Sequence, residues 1–185
     1  MNLMVIAAIG RESSTTNMLG RQIVGICEGI GCDVDFVTPT ALALPVNDGT
    51  LPPDLPAAKA WQERVAGAKA FIWISPEYHS GMTGGIKNLF DHLGKEALRG
   101  DVVGLCALAG GAMAALNTLN GMSIVARSLG AWVAPDYCAF NSNEVKQGLD
   151  ERACKRLEAL CQSVVDASRR LSAPWPEPAQ ADLGI

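Results

Sequence analysis

Uninterrupted apolar runs alternate with helical spacings along most of the chain. The runs at 3–9, 71–75 and 102–109 are continuously apolar, which predicts strands buried on both faces. Alternating polar and apolar residues at 32–37 predict a half-buried strand, and the short apolar run 131–134 predicts a fifth strand. The sequence therefore predicts a five-stranded sheet.

Apolar residues between these strands recur every three or four positions, which is typical of helices with one buried face. The predicted helices are one that ends near Gly29 and others at 54–66, 86–93, 113–129 and 149–171. Asp54 is the predicted cap of the second of these. Strands that alternate with helices, without an internal repeat, demand a parallel sheet covered on both faces by right-handed crossovers.

Three stretches show neither the strand pattern nor the helical spacing. The predicted connection 39–56 is long and proline-rich, and 135–148 is predicted to be irregular. The tail 172–185 contains three prolines that prevent regular structure, and we expect it to be mobile or to lie on the surface. The remaining residues, 1–171, are predicted to form one domain.

Three of the predicted strands end in loops rich in glycine and hydroxyl residues. The first loop concentrates these groups just before a helix, at Gly10, Arg11, Ser13, Ser14, Thr15 and Asn17. Hydroxyls and free helix N–H groups can hold a phosphate, whereas helix capping alone needs a single such residue. We therefore favour a phosphate site over simple capping. Neither GxGxxG nor GxxxxGK[ST] occurs there, which argues against a dinucleotide fingerprint and a P-loop.

The loops after the other two buried strands complete the pattern. They contain Pro76, Glu77, Tyr78, His79, Ser80 and Gly81 after one strand, and Ala109, Gly110 and Gly111 after the other. If the three strands are neighbours, their carboxyl ends meet at one edge of the sheet, where open α/β folds bind ligands. The sequence thus predicts one composite ligand site.

Composition excludes several classes of function. With a net charge of −4 and 18% charged residues, the chain has no electrostatic reason to bind nucleic acid or an anionic membrane. No apolar run approaches the roughly 20 residues of a membrane span, and we predict no signal peptide. Six cysteines without a CxxC pair, and two histidines, make a metal cage improbable; free thiols indicate a reducing, cytoplasmic setting.

A family resemblance lies in the segment after the third predicted strand. The residues that carry it are Pro76-Glu77-Tyr78, then Gly84 or Gly85, Lys87-Asn88 and Asp91. Their pattern resembles the PEY…G…KN…D signature of the NADPH-dependent FMN reductase family, flavodoxin-like proteins that include quinone, chromate and azo-dye reductases. Thr15 and Asn17 also resemble the family's S-x-N phosphate-loop ending. The first loop is shorter than the family's usual loop, because Arg11 and Glu12 follow Gly10 directly. A second departure from the family pattern is His79, at a position where the family tends to have Asn.

The resemblance implies a flavodoxin-like three-layer sandwich with a five-stranded parallel sheet of order 2-1-3-4-5. It implies FMN, with NADPH or NADH as hydride donor and a quinone, free flavin or similar small molecule as electron acceptor. It also implies a homodimer or a dimer of dimers. The first loop would hold the flavin phosphate, the second would wrap the ring edge through backbone groups, and the third would approach the ring from the other side. No acid or base residue is required, because the cofactor carries the chemistry.

Alternatives remain open for the whole protein and for single residues. The chain could be a flavodoxin-type electron carrier, or a flavin-free sensor or interaction module on the same fold. His79 could act on the flavin or an acceptor, or be a solvated loop residue, and Tyr78 could pack on the ring, in a subunit contact or as a loop anchor. His92 is predicted to lie on a solvated helix surface.

Overall fold

The structure, a computed structural model, describes residues 1–52, 54–111 and 115–172. The predicted tail 172–185 lies outside this part of the chain from residue 173 onward. The elements in chain order are β1 (Asn2–Ala7), α1 (Thr15–Gly29), β2 (Asp33–Val37), α2 (Pro39–Leu42), α3 (Pro56–Ala66), β3 (Ala70–Pro76), α4 (Gly84–Asp91), β4 (Val102–Ala109), α5 (Leu116–Ser128), β5 (Trp132–Asn141), α6 (Ser142–Gln147) and α7 (Glu151–Leu171).

The five strands form one parallel sheet in the order β2-β1-β3-β4-β5, which confirms the predicted topology. Successive side chains of a strand point to opposite faces. On β3, Ile72 therefore packs with α1 and α7 on one face, while Trp73 packs with α3, α4 and α5 on the other. The sheet is the middle layer of a three-layer sandwich.

The central strand β3 is fixed by its burial and by aromatic packing. Every residue from Ala70 to Ser75 is buried, as the apolar run predicts. Trp73 stacks on Phe90 of α4 with ring centroids 3.9 Å apart. Trp61 of α3 donates its Nε1–H to the carbonyl of Leu89, at 2.8 Å. These contacts hold α4, which follows the loop after β3, in one position against the sheet.

The prediction that 135–148 is irregular is wrong. β5 continues to Asn141 and α6 follows it, with Asn141 and Glu144 forming a reciprocal capping box. The register with β4 shifts, because Val103 and Leu105 are two residues apart while their partners on β5 are Val133 and Tyr137. This irregularity breaks the strand periodicity around Pro135 and hides the continuation of the strand from sequence reasoning.

Two predictions about the connection 39–56 are also corrected. It contains the single-turn helix α2, which Thr38 begins by accepting a hydrogen bond from the Ala41 N–H at 3.4 Å. The next helix, α3, starts at Pro56 behind Leu55, which makes no side-chain cap bond, so Asp54 is not its cap. Proline is favoured at the first helical position because its missing N–H costs nothing there.

The six cysteines are free thiols, and all but Cys154 are buried. The pKa of the Cys161 thiol is raised far above its usual range, by its hydrogen bond with Cys27 and by burial. Buried thiols with raised pKa values are poor nucleophiles. Among residues 1–52, 54–111 and 115–172, no helix combines the length and the apolarity of a membrane span.

Candidate functional site

The carboxyl ends of β1, β3 and β4 lie side by side, because β3 pairs with β1 on one side and with β4 on the other. We call the segments that follow these strands the first loop (8–14), the second loop (77–83) and the third loop (110–115). Residues 112–114 of the third loop lie outside the described part of the chain. The three loops therefore start from adjacent strands, as the composite-site prediction requires.

The first loop is built around the start of α1. Ser14 is the N-cap, and its Oγ accepts a hydrogen bond from the Asn17 N–H at 3.2 Å. The Asn17 side chain reaches back and donates its Nδ2–H to the carbonyl of Arg11, at 2.9 Å. The first N–H groups of a helix have no helical acceptor, so those of Thr15 and Thr16 are available to a ligand. One serine thus satisfies the capping requirement, and the other hydroxyls of the loop are not needed for it.

Asn17 carries a buried acceptor without a partner. Its side chain is only 2% exposed, and Oδ1 forms no hydrogen bond with any residue that the structure describes. Such orphaned atoms are rare in folded proteins and require an explanation. Since Nδ2 is committed to Arg11, Oδ1 is the atom left to meet a hydrogen-bond donor from a ligand.

The second loop contains a tight two-residue turn. Tyr78 and Gly81 exchange backbone hydrogen bonds of 2.9 and 3.1 Å, and between them His79 and Ser80 have φ values of 49° and 64°. Both central residues are thus left-handed, the arrangement of a type I′ turn, which favours Asn and Gly. The side chains of Tyr78, His79 and Ser80 are exposed. The turn is therefore held by backbone bonds at a conformational cost.

We expect Ser80→Gly to raise the free energy of unfolding by about 1 kcal/mol, because a left-handed residue other than glycine costs roughly 1–2 kcal/mol. Urea denaturation of the two proteins measures the change. Ser142→Gly is the matched control, since Ser142 is the first residue of α6 and has no positive φ. An equal or larger stabilisation in the control would contradict the assignment of strain to the turn.

Buried hydroxyls brace the rest of the second loop. The Ser75 Oγ accepts a hydrogen bond from the Thr83 N–H at 3.1 Å and donates to the carbonyl of Pro76 at 2.9 Å. Thr83 is in turn the N-cap of α4, where its Oγ1 accepts from the Ile86 N–H. The sequence analysis missed both residues, although a threonine just before Gly84 and a helical apolar spacing is a capping signal.

Glu77 connects the second loop to α5, the helix that follows the third loop. Its N–H donates to the carbonyl of Leu108 at 2.7 Å, and its Oε2 accepts from the N–H and from the Oγ1 of Thr118, both at 3.2 Å. Thr118 belongs to the first turn of α5. It is a further residue that sequence reasoning missed, because its partner lies 41 positions away.

The third loop offers open space beside its backbone. Ala109 is half-buried, and Gly110 and Gly111 are exposed. A methyl group added to either glycine would meet no atom of the described residues within 4 Å. A planar ligand can therefore approach this backbone closely.

His92 is not the solvated surface residue that the sequence predicts. It is 6% exposed, and its Nε2 lies 2.9 Å from the carbonyl of Pro45. Asn88 also donates to that carbonyl, at 3.0 Å, so the connection before α3 is bound across the end of α4. Lys87 and Asp91 form the ion pair expected from their spacing on α4. Asn88 and His92 therefore fasten the connection before α3 to the C-terminal end of α4.

Solved structures share this flavodoxin-like fold. The apo form of an NADH:FMN oxidoreductase superposes with a TM-score of 0.72 at 18% identity, over 93% of this chain and 90% of that one. FerB, an NAD(P)H:acceptor oxidoreductase of Paracoccus denitrificans, gives 0.73 at 18% identity over 91% and 97%. A WrbA-like flavodoxin of Agrobacterium tumefaciens gives 0.64 at 16% identity over 91% and 98%. At these identities the similarity shows the fold.

Residues 1–145 match the model of the NADPH-dependent FMN reductase family, and the chain belongs to that family. It is 29% identical over 149 residues to an NADPH azoreductase of a Bacillus species, covering 80% of this chain and 81% of that protein. It is 27% identical over 151 residues to an FMN-dependent NADPH-azoreductase of Staphylococcus haemolyticus, covering 78% and 79%. The match confirms the predicted family, whose cofactors are FMN and NADPH.

Proposed function

We propose that residues 1–171 bind FMN across the three loops and that the protein uses NADPH or NADH to reduce it, delivering the electrons to a small-molecule acceptor such as a quinone, free flavin or azo compound. The strand order carries this proposal. It brings the hydroxyl-rich start of α1 next to the backbone turn of the second loop, and the second loop next to the glycines of the third.

The first loop fits the phosphate end of FMN. The N–H groups of Thr15 and Thr16 point out of a helix N-terminus, where the partial positive charge favours an anion. The hydroxyls of Ser13 and Thr15 add donors, and the side chain of Arg11 is exposed at the same loop. Asn17 Oδ1 accepts a hydrogen bond from a hydroxyl of the cofactor, whose ribityl chain carries such donors.

The second and third loops fit the ring end. When bound, the flavin supplies the hydride chemistry, and the protein supplies position and electrostatics. Backbone N–H groups of the turn at His79 and Ser80 orient the ring edge and stabilise negative charge that develops there. Ala109, Gly110 and Gly111 leave space for the opposite side of the ring. No side chain of these loops is required as an acid or base.

The purified protein mixed with FMN under anaerobic conditions tests the proposal. We expect the flavin fluorescence to be quenched on binding, and the visible flavin absorbance to bleach when NADPH or NADH is added. If the flavin binds but neither nucleotide bleaches it, the proposal of an enzyme is overturned in favour of a flavodoxin-type electron carrier. Failure to bind FMN at all would overturn both and leave a flavin-free module.

We propose further that the protein is a homodimer or a dimer of dimers that uses α5. This helix exposes two large apolar side chains, Leu116 at 51% and Ile124 at 67%. We expect Ile124→Glu to lower the mass measured by light scattering to that of one chain, because a charge in an apolar interface is costly. Val46→Glu, at a loop residue that is also exposed, is the control. A mass unchanged by Ile124→Glu would contradict a contact through α5.

A further inference from the structure

We infer that Glu77 is a positioning residue that ties the second loop to β4 and to the start of α5, which its carboxylate caps. These contacts of Glu77 are present in the fold without a ligand. Their consequence for FMN binding rests on the proposed function. The start of α5 needs such an acceptor.

Helix α5 lacks a cap of its own. Ala115 occupies the N-cap position with φ 59°, fully buried, and it has no side-chain oxygen to accept a helix N–H. The first turn contains no acidic residue. Alanine is among the poorest N-cap residues, and replacing a good cap by alanine costs about 1 kcal/mol. An acceptor from elsewhere in the chain therefore has to serve this helix.

Glu77 supplies that acceptor. Its Oε2 receives both the N–H and the Oγ1–H of Thr118 at 3.2 Å, and Thr118 is fully buried. A carboxylate at a helix N-terminus also interacts favourably with the helix dipole. Within the described residues, none of the ion pairs involves Glu77, so no basic side chain competes with Thr118 for its carboxylate.

The same residue is held at its backbone. The Glu77 N–H donates to Leu108 of β4 at 2.7 Å, one residue before Ala109. Glu77 thus contacts the chain on both sides of the third loop, at β4 before it and at α5 after it. A displacement of Glu77 moves the turn of the second loop relative to α5. The geometry therefore fixes the second loop, which is proposed to hold the flavin ring, against β4 and α5.

Glu144 provides a matched control. Its Oε2 also accepts a backbone N–H at a helix start, that of Asn141 at 3.1 Å, within the capping box of α6. It follows β5 and belongs to none of the three loops. If Glu77 only stabilised a helix, Glu77→Ala and Glu144→Ala would change the Kd for FMN equally. If Glu77 positions the second loop, only Glu77→Ala changes this Kd.

The first experiment follows hydrogen exchange in the protein without FMN. In Glu77→Ala we expect the amide of Thr118, which loses its acceptor, to exchange about fivefold faster, in line with the loss of a capping bond of about 1 kcal/mol. Glu77→Gln keeps an oxygen acceptor and should restore slow exchange. Exchange at α5 that is unchanged in Glu77→Ala would overturn the inference, even if the protein binds no flavin.

The second experiment titrates the same variants with FMN. We expect Glu77→Ala to raise the Kd for FMN about tenfold, Glu77→Gln to restore it to within about threefold, and Glu144→Ala to leave it unchanged. Equal effects of Glu77→Ala and Glu144→Ala, or no rescue by Gln, would overturn the positioning role. Absence of FMN binding by the unaltered protein would overturn the proposed function instead, and the exchange result would still stand.

Discussion

Gly10→Ala is expected to lower the free energy of unfolding by about 2 kcal/mol, the usual range for forcing an extra methyl group into a packed site. The added Cβ would stand 1.7 Å from Thr40 Oγ1 and 2.3 Å from Thr40 Cβ. Because Thr40 Cβ is fixed to the backbone of α2, rotation of the side chain cannot remove the clash. Urea denaturation measures the loss, which would also displace the first loop.

Two further variants separate this clash from the general effect of replacing a glycine. Gly25→Ala, within α1, meets no atom within 4 Å and should stabilise the protein by up to about 1 kcal/mol, because alanine favours a helix over glycine. In the double variant Gly10→Ala, Thr40→Gly the clash is removed, and most of the lost stability should return. A Gly10→Ala protein as stable as the parent would show that α2 does not pack against the first loop.

Asn17→Ala is expected to raise the Kd for FMN by roughly 10-fold, the upper range for losing one buried hydrogen bond to a neutral hydroxyl. The substitution removes the unpartnered Oδ1 and the bond that holds the carbonyl of Arg11. Quenching of flavin fluorescence on titration measures the affinity. The reason is geometric: both atoms of one amide act in the same loop, so the loop loses a ligand contact and its brace together.

The control for this titration is Asn143→Ala, since Asn143 is exposed on α6 and is absent from the three loops. We expect its Kd to match that of the parent protein. Asn17→Asp keeps an oxygen but loses the donor to Arg11 and adds a negative charge near the phosphate, so it should bind at least as weakly as Asn17→Ala. An unchanged Kd in Asn17→Ala would show that the first loop does not hold FMN.

Local patterns in the sequence predicted the strands and the position of the loops, whereas the sheet order came from the family resemblance. The apolar run of β3 and the glycine-punctuated loop after it are visible without any distant contact. Likewise, hydroxyls before α1 are a local signal for a helix start. The family signature at 76–91 then added the cofactors, which no periodicity could supply.

The features that sequence reasoning missed depend on contacts between distant residues. The bond between Glu77 and Thr118 joins residues 41 positions apart, so nothing near Ala115 reveals how α5 is capped. His92 is buried by the carbonyl of Pro45, 47 positions earlier, although its helical phase indicates a solvated side chain. β5 was cut short because its extra residues interrupt the alternation that identifies a strand.

That interruption of β5 also has a bearing on how copies of the protein meet at high concentration. β5 is an edge strand, with β4 as its neighbour in the sheet, and edges of this kind recruit further strands into fibrous aggregates. Here Pro135, which has no N–H to donate, lies in the stretch where the register shifts. The edge is therefore divided into two short segments that a foreign strand cannot follow continuously, which disfavours amyloid-like growth.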